Sequence, residues 1–284
     1  MKLSVETYIF RERFDDQTAI QMIKDAGFDA FDYSMYWMSD GKDMLGEDYR
    51  ERALKLRSLA DKIGISCNQA HAPFDFRYCD ELNESNMAYC RLVRSIEIAS
   101  ILGAKKIIVH AIKEELPDDV SFEEYNRIFY RSFIPYCEKF NIHISIENIF
   151  NWSEDKGIPV LCDPKEHNAF VENLNSSWFN VCVDVGHSAI TGYLPQDVLS
   201  NIKPNLLKAL HIQDNDFHYD QHLLPFEGNI NWDAVMTALK QNNYDGDFTF
   251  ELTGYLRRQE TEKLMIALKD AEDVGRKLIA SMEV

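Results

Sequence analysis

Eight short apolar runs alternate with eight amphipathic segments from one end of this 284-residue chain to the other, and that alternation restricts the fold more than any other feature. The apolar runs are 3–9, 28–33, 65–70, 106–110, 142–147, 179–184, 207–211 and 247–252. Most read as short buried β-strands. The intervening stretches 15–26, 48–63, 84–102, 122–140, 164–174, 195–202, 232–242 and 260–279 space their apolar residues near the helical period, which predicts helices. Gly27, Gly64 and Gly103 each follow a helical run and lead into the next strand, where a left-handed residue ends a helix. Pro164 and Pro195 stand at helix starts, and Asn231 before Trp232 reads as an N-cap.

Eight such units in a chain of this length predict an α/β fold, a single (β/α)8 barrel spanning residues 1–284 as one domain. A doubly wound open sheet also alternates, but it usually carries a glycine-rich phosphate turn after its first strand. Phe10-Arg11-Glu12-Arg13 is no such turn. At 45% hydrophobic residues the chain has enough apolar matter for one large core. No run approaches the roughly 18 apolar residues that cross a bilayer. Met1-Lys2-Leu3-Ser4-Val5-Glu6 enters a strand directly and does not read as a secretory leader, so a cytoplasmic location is expected. The six cysteines contain no Cys-x-x-Cys pair and sit mostly in apolar segments, which predicts buried free thiols. A net charge of −17 repels polyanions and argues against nucleic acid as the usual partner. The adjacent basic pairs Lys105-Lys106 and Arg257-Arg258 have no basic run around them.

Several of the predicted strands end on a residue of metal-ligand type. Glu147, Asp184, His211 and Glu251 close strands five to eight, and consecutive barrel strands set such ends side by side around one mouth. Three carboxylates and an imidazole form an oxygen-rich site that suits Mn2+, Mg2+ or Co2+ better than a thiolate-type zinc centre. Any one of the acids alone reads equally well as the cap of a following helix. His71, His110, His187, Asp220 and His222 form a second set, as additional metal ligands or substrate contacts. Of the eight histidines, only His143, His167 and His218 fall outside both sets. Asp214 and Asn215 are expected to orient His211 or touch substrate. Tyr33 to Met38, Phe74-Asp75-Phe76 and Phe150-Asn151-Trp152 follow strands two, three and five and can wall a sugar pocket. They can equally stack on nucleic-acid bases. Glu154 and Lys156 are candidates for a hydroxyl or a phosphate.

The pattern resembles the xylose-isomerase-like barrel superfamily of sugar and sugar phosphate isomerases and epimerases, which also contains endonuclease IV-type apurinic endonucleases. The carrying segments are His71-Ala72-Pro73-Phe74, Val109-His110, Ile146-Glu147-Asn148, Val183-Asp184-Val185-Gly186-His187, His211-Ile212-Gln213-Asp214-Asn215, the stretch from Asp220 to Trp232, and Phe250-Glu251-Leu252. Each is weak alone; their order and spacing are specific. The resemblance implies that Glu147, Asp184, His211 and Glu251 hold one divalent metal (Mn, Co, Mg or Zn), as in ketose 3-epimerases. It also implies that Glu147 and Glu251 are the catalytic acid/base pair and that His187 binds substrate. All nine residues equally match the three-metal site of the apurinic endonucleases, where Glu147 would bridge. The expected function is a metal-dependent sugar isomerase or epimerase that abstracts a proton next to a carbonyl through an enediolate. Its partner is a small-molecule sugar, and a non-phosphorylated one is favoured because no glycine-rich phosphate loop is visible. The alternatives are a three-zinc apurinic endonuclease, a polyol or inosose dehydratase-type lyase, and a non-catalytic metal-binding relative. The resembling families include dimers and tetramers, so a homo-oligomer is among the expectations.

Overall fold

The computed structural model describes residues 1–36, 46–74, 76–113, 116–152 and 157–282. In chain order its strands are β1 (Leu3–Glu6), β2 (Ala30–Ser34), β3 (Ser66–His71), β4 (Lys106–Val109), β5 (His143–Glu147), β6 (Ile149–Trp152), β7 (Gly157–Val160), β8 (Phe179–Asp184), β9 (Leu207–His211) and β10 (Phe248–Phe250). Eight of them form one parallel sheet in the order β10-β1-β2-β3-β4-β5-β8-β9, and β6 and β7 pair as a separate antiparallel hairpin. The ring closes between β9 and β10, where Ile212 N–H donates to Thr249 O at 2.9 Å and Glu251 N–H donates to Ile212 O at 3.0 Å. With helices packed around it, this is the expected (β/α)8 barrel.

The two faces of each strand differ in chemistry. Val5, Phe31, Ile107, Ile144, Val181, Val183, Leu210 and Phe250 belong to the continuous core shared with the helices. The lumen is partly polar. Ser4 Oγ bonds Thr249 Oγ1 at 2.8 Å, and Asn68 Nδ2 on β3 reaches the same hydroxyl at 3.1 Å from a strand that is not its neighbour. Ser145 Oγ donates to Asn180 Oδ1 at 2.6 Å, and Ile108, Cys182 and Ala209 form a small apolar cluster apart from the main core. Branched aliphatics usually fill such lumens; here hydrogen-bonded polar groups share that space.

Local departures from the sequence reading have local causes. The first strand stops at Glu6, because Glu6 Oε2 accepts the N–H of Tyr8 at 2.9 Å and turns the chain into a helix, Tyr8–Arg13, that buries Ile9 and Phe10. The segment 122–140 is two helices, Phe122–Ser132 and Ile134–Phe140, since Pro135 has no N–H to continue the first. Ile149–Trp152 and Gly157–Val160, after the fifth barrel strand, pair antiparallel as β6 and β7. Val185–Ile190 is a short helix capped by the Asp184 side chain. Gly27 and Gly103 end their helices at φ +107° and +95°, and Asn231 accepts from Ala234 N at 3.1 Å as an N-cap should. Cys67, Cys137, Cys162 and Cys182 are buried free thiols. Among the described residues no helix is long and apolar enough to cross a membrane.

Glycine matters where backbones touch. A Cβ on Gly254 would lie 1.9 Å from the carbonyl oxygen of Gln221, so helix Thr253–Arg257 packs directly against the loop that carries His222. Gly254→Ala is expected to destabilise the fold by about 1–3 kcal/mol through this overpacking, read as a lower midpoint in chemical denaturation. An unchanged midpoint would contradict the close approach.

Candidate metal centre

The carboxyl ends of β5, β8, β9 and β10 bring Glu147, Asp184, His211 and Glu251 together. One ligand atom from each lies within 4.8 Å of those of the others, and all four residues are buried. His211 Nδ1 sits 2.8 Å from Glu147 Oε1 and 3.2 Å from Glu251 Oε2. Asp184 Oδ1 accepts the backbone N–H of His187 at 2.7 Å. Its other oxygen, and Glu251 Oε2, are buried without a hydrogen-bond partner among the described residues. Buried carboxylate oxygens without donors are costly, and a cation would relieve that cost. The donor set, three carboxylates and one imidazole, fits a divalent ion.

The second set converges on the same mouth. Glu147 Oε2 lies 2.9 Å from His110 Nε2 and 3.3 Å from His71 Nε2. Glu147 therefore turns one oxygen to His211 and the other to the His71–His110 pair. His222 Nε2 lies 3.0 Å from Asp220 Oδ2, and His187 Nε2 lies 3.6 Å from the same atom. His187, Asp220 and His222 also meet as a group that could hold an ion, as do His71, Glu147 and His211. Glu147, Glu251, His110, His187, Asp220 and His222 line a cavity of about 390 Å3, walled by Tyr36, Phe74 and Phe150. Tyr36 stacks on Phe74 at 4.5 Å between centroids, Phe74 stacks on His110 at 4.9 Å, and Phe150 meets His187 edge-on at 5.1 Å.

Other predicted residues sit elsewhere. Asp214 takes N–H groups from Asn215, Phe226, Ile230 and the Trp232 indole at 2.8–3.1 Å, so it shapes the loop after β9, and none of its hydrogen bonds among the described residues reaches His211. A Cβ at Gly228 would fall 2.3 Å from Asp214 Oδ1, which leaves that loop no room for a side chain there. Asn215 Nδ2 donates to Gly186 O at 3.0 Å and ties this loop to the turn holding Asp184 and His187. Tyr33 is buried and points its hydroxyl at Asp16, 3.1 Å away, and Trp152 is 53% exposed. Trp37, Met38, Asp75, Glu154 and Lys156 lie outside the described residues.

Tyr36 was expected only as a pocket wall, and four other residues at the centre drew no role from sequence. Tyr36 OH donates to Glu251 Oε1 at 2.7 Å. Gln213 Nε2 donates to Asp220 Oδ1 at 2.9 Å. Asn148 brackets Asp184 by accepting its N–H at 2.8 Å and donating to its carbonyl at 2.9 Å. Glu6 and Asp32 are acidic side chains fully buried in the lumen. Their one sequence signal was a charged side chain two positions from a serine in a strand, Ser4 before Glu6 and Ser34 after Asp32.

Burial and charge pull the ionisable groups apart. Burial raises the Asp184 carboxyl to about 7 against the lowering effect of His187. Burial also raises Glu147 and Glu251, but His211 and the other imidazoles outweigh it, leaving Glu147 well below the usual carboxylate range and Glu251 lowered. Desolvation drops His110 to about 4. His222 is driven the other way, to about 10, because Asp220 and Glu251 overcome its burial. Glu6 is pushed up to about 8 by burial and by Glu251. Carboxylates and imidazolium groups thus answer one another across the mouth.

A closed barrel with this many ionisable side chains at its carboxyl mouth defines a (β/α)8 protein of the kind that builds its site from strand ends and the loops after them. The chain belongs to the xylose isomerase-like TIM barrel family, whose profile matches residues 20–271. It is similar to the uncharacterized protein y4fM of Sinorhizobium fredii, 26% identical over 257 residues, 82% of this chain and 79% of that protein. Among solved structures it resembles a D-tagatose 3-epimerase-like protein, with a TM-score of 0.77 at 22% identity over 100% of this chain and 98% of that one. It also resembles D-psicose 3-epimerase of Clostridium cellulolyticum H10, solved with D-tagatose, with a TM-score of 0.76 at 16% identity over 98% and 99% of the two chains.

The protonation pattern predicts how a cation would bind. Asp184 keeps its proton up to about pH 7, and His211 is held protonated well above its ordinary value, chiefly by Glu147 and Glu251 acting against its burial. A cation needs both groups without that proton, so its affinity should rise with pH through about 7 and beyond. Calorimetry with Mn2+ should show tighter binding at about pH 8 than at about pH 6, with protons released in buffers of differing ionisation enthalpy. Equal affinity at both would contradict the coupling.

Proposed function

We propose that this protein is a divalent-metal-dependent sugar isomerase or epimerase that moves a proton next to a carbonyl. The observation carrying this reading is the pair Glu147 and Glu251, 2.8 and 3.2 Å from His211 Nδ1, both lining a cavity walled by aromatic rings. Glu147, Asp184, His211 and Glu251 would hold the ion, which when bound supplies Lewis-acid polarisation of a ketose carbonyl and its neighbouring hydroxyl. Glu147 and Glu251 have lowered pKa values and are carboxylates at neutral pH, the form a general base needs. Glu251 carries a hydrogen bond from Tyr36, which lines the cavity and so orients that carboxylate toward it. One glutamate removes the proton to give the enediolate and the other returns it. Return to the opposite face gives epimerisation, and return to the adjacent carbon gives isomerisation. Tyr36, Phe74 and Phe150 offer apolar surface to the C–H face of a sugar and limit water. The likeness to ketose 3-epimerases supports the substrate class, and we extend the proposal to a cytoplasmic, single-domain protein able to form a homo-oligomer.

One observation favours a second reading. Glu147 gives an oxygen to each of two ligand groups, as a bridging ligand in a centre of several ions would, and the apurinic endonucleases use such a centre. The net charge of −17 weighs against a DNA substrate. Elemental analysis of protein purified without chelator separates the two: about one Mn, Co or Mg per chain is expected, and near three Zn would transfer the assignment to abasic DNA cleavage. With ketoses in D2O, exchange at the α-carbon is expected. Glu147→Gln and Glu251→Gln should each reduce kcat by about 10²–10⁴-fold. An active Glu251→Gln protein would rule out the two-base mechanism.

A further inference from the structure

Asp32 is fully buried in β2, among Ala30, Phe31, Tyr33 and Ser34. A carboxylate in that setting needs donors or positive charge to persist. Its Oδ2 accepts from Gln69 Nε2 at 2.8 Å and lies 3.4 Å from His211 Nε2. His211 Nδ1 meanwhile faces Glu147 and Glu251 at 2.8 and 3.2 Å. The imidazole is strung between a carboxylate inside the barrel and the ligand group at its mouth. Among the described residues, Asp32 belongs to none of the groups that could hold an ion.

Two irregularities in the sheet create this arrangement. Between β2 and β3 the register steps from Phe31↔Cys67 to Asp32↔Gln69, passing over Asn68. Between β8 and β9 it steps from Val181↔Leu207 to Cys182↔Ala209, passing over Lys208, and then sets Asp184 beside His211. Side chains alternate faces along a strand, so without the first step Gln69 would turn away from Asp32. Without the second, His211 would not stand beside Asp184. Bulges that re-aim side chains are concentrated beside functional sites.

We infer that Asp32 is a positioning residue for His211. Facing Nε2 at 3.4 Å, where Nε2 has no hydrogen-bond partner among the described residues, the Asp32 carboxylate favours the tautomer with its proton on Nε2 and so leaves the Nδ1 lone pair for a cation, while Gln69 anchors the carboxylate. This rests on His211 being a metal ligand, and not on the identity of the sugar.

The test is calorimetric titration of the chelator-stripped full chain with Mn2+ alone, without substrate. Asp32→Asn is expected to weaken binding by about 10–100-fold. In a His211→Gln background the same substitution should change affinity by less than about twofold, because its effect passes through the imidazole. A folded Asp32→Asn protein that binds like wild type overturns the inference, as does an equal loss in both backgrounds. If Asp32→Asn does not fold, Gln69→Met takes its place: it should weaken Mn2+ binding in the wild-type background and leave the His211→Gln protein unchanged, and any other result overturns the inference. Absence of Mn2+ binding by the wild type would instead remove the metal assignment itself, and this inference with it.

Discussion

Four acidic side chains, Glu147, Asp184, Asp220 and Glu251, crowd one mouth with three of them buried, and the rest of the mouth is organised around that constraint. Carboxylates removed from solvent need hydrogen bonds or opposite charge, and here imidazoles meet much of the demand. His211 answers Glu147 and Glu251, His187 answers Asp184 and Asp220, and His222 answers Asp220. The outcome is a set of side chains held in place at one mouth. Asn148 clamps the backbone of Asp184, Gln213 holds Asp220, and Asp214 ties down the loop that delivers Asp220 and His222. Gly186 permits this closeness, since a Cβ there would strike the Gln213 carboxamide at 2.2 Å.

The demand extends into the barrel interior. Glu6 and Asp32 lie below the mouth, and the layer beneath them holds Ser4, Asn68 and Thr249 in a hydrogen-bonded set. An aliphatic lumen would pack well but could not anchor Asp32 through Gln69 or bring a carboxylate to His211. The stability given up inside is offset outside, where the strands present Val, Ile and Phe to the surrounding helices in one continuous core.

Much of this was legible in the residues. The closing positions of strands five to eight pointed to Glu147, Asp184, His211 and Glu251, because a parallel barrel sends every strand end to the same side. The second set of histidines was legible for the same reason, and the loop residues Asp220 and His222 through their adjacency in Asp220-Gln221-His222. Tyr36 was visible only as one aromatic among several, since nothing in its neighbours names Glu251, 215 residues away, as its acceptor. Asp214 read as a partner for His211 from nearness in sequence, whereas its hydrogen bonds go to Phe226, Ile230 and Trp232. Glu6 and Asp32 stayed hidden because a single charge in a short strand does not announce which face it takes.

By itself the sequence determined the barrel, its count of strands and the chemistry at their ends, since these follow from periodicity, glycine punctuation and residue type along the chain. Only the tertiary structure decided which of these side chains come within reach of one another, that Glu147 divides its oxygens between two groups, and that Asp32 stands behind His211. Those facts depend on register between strands distant in sequence. The steps at Asn68 and Lys208 shift that register by one residue, and one residue exchanges the face on which every later side chain lies.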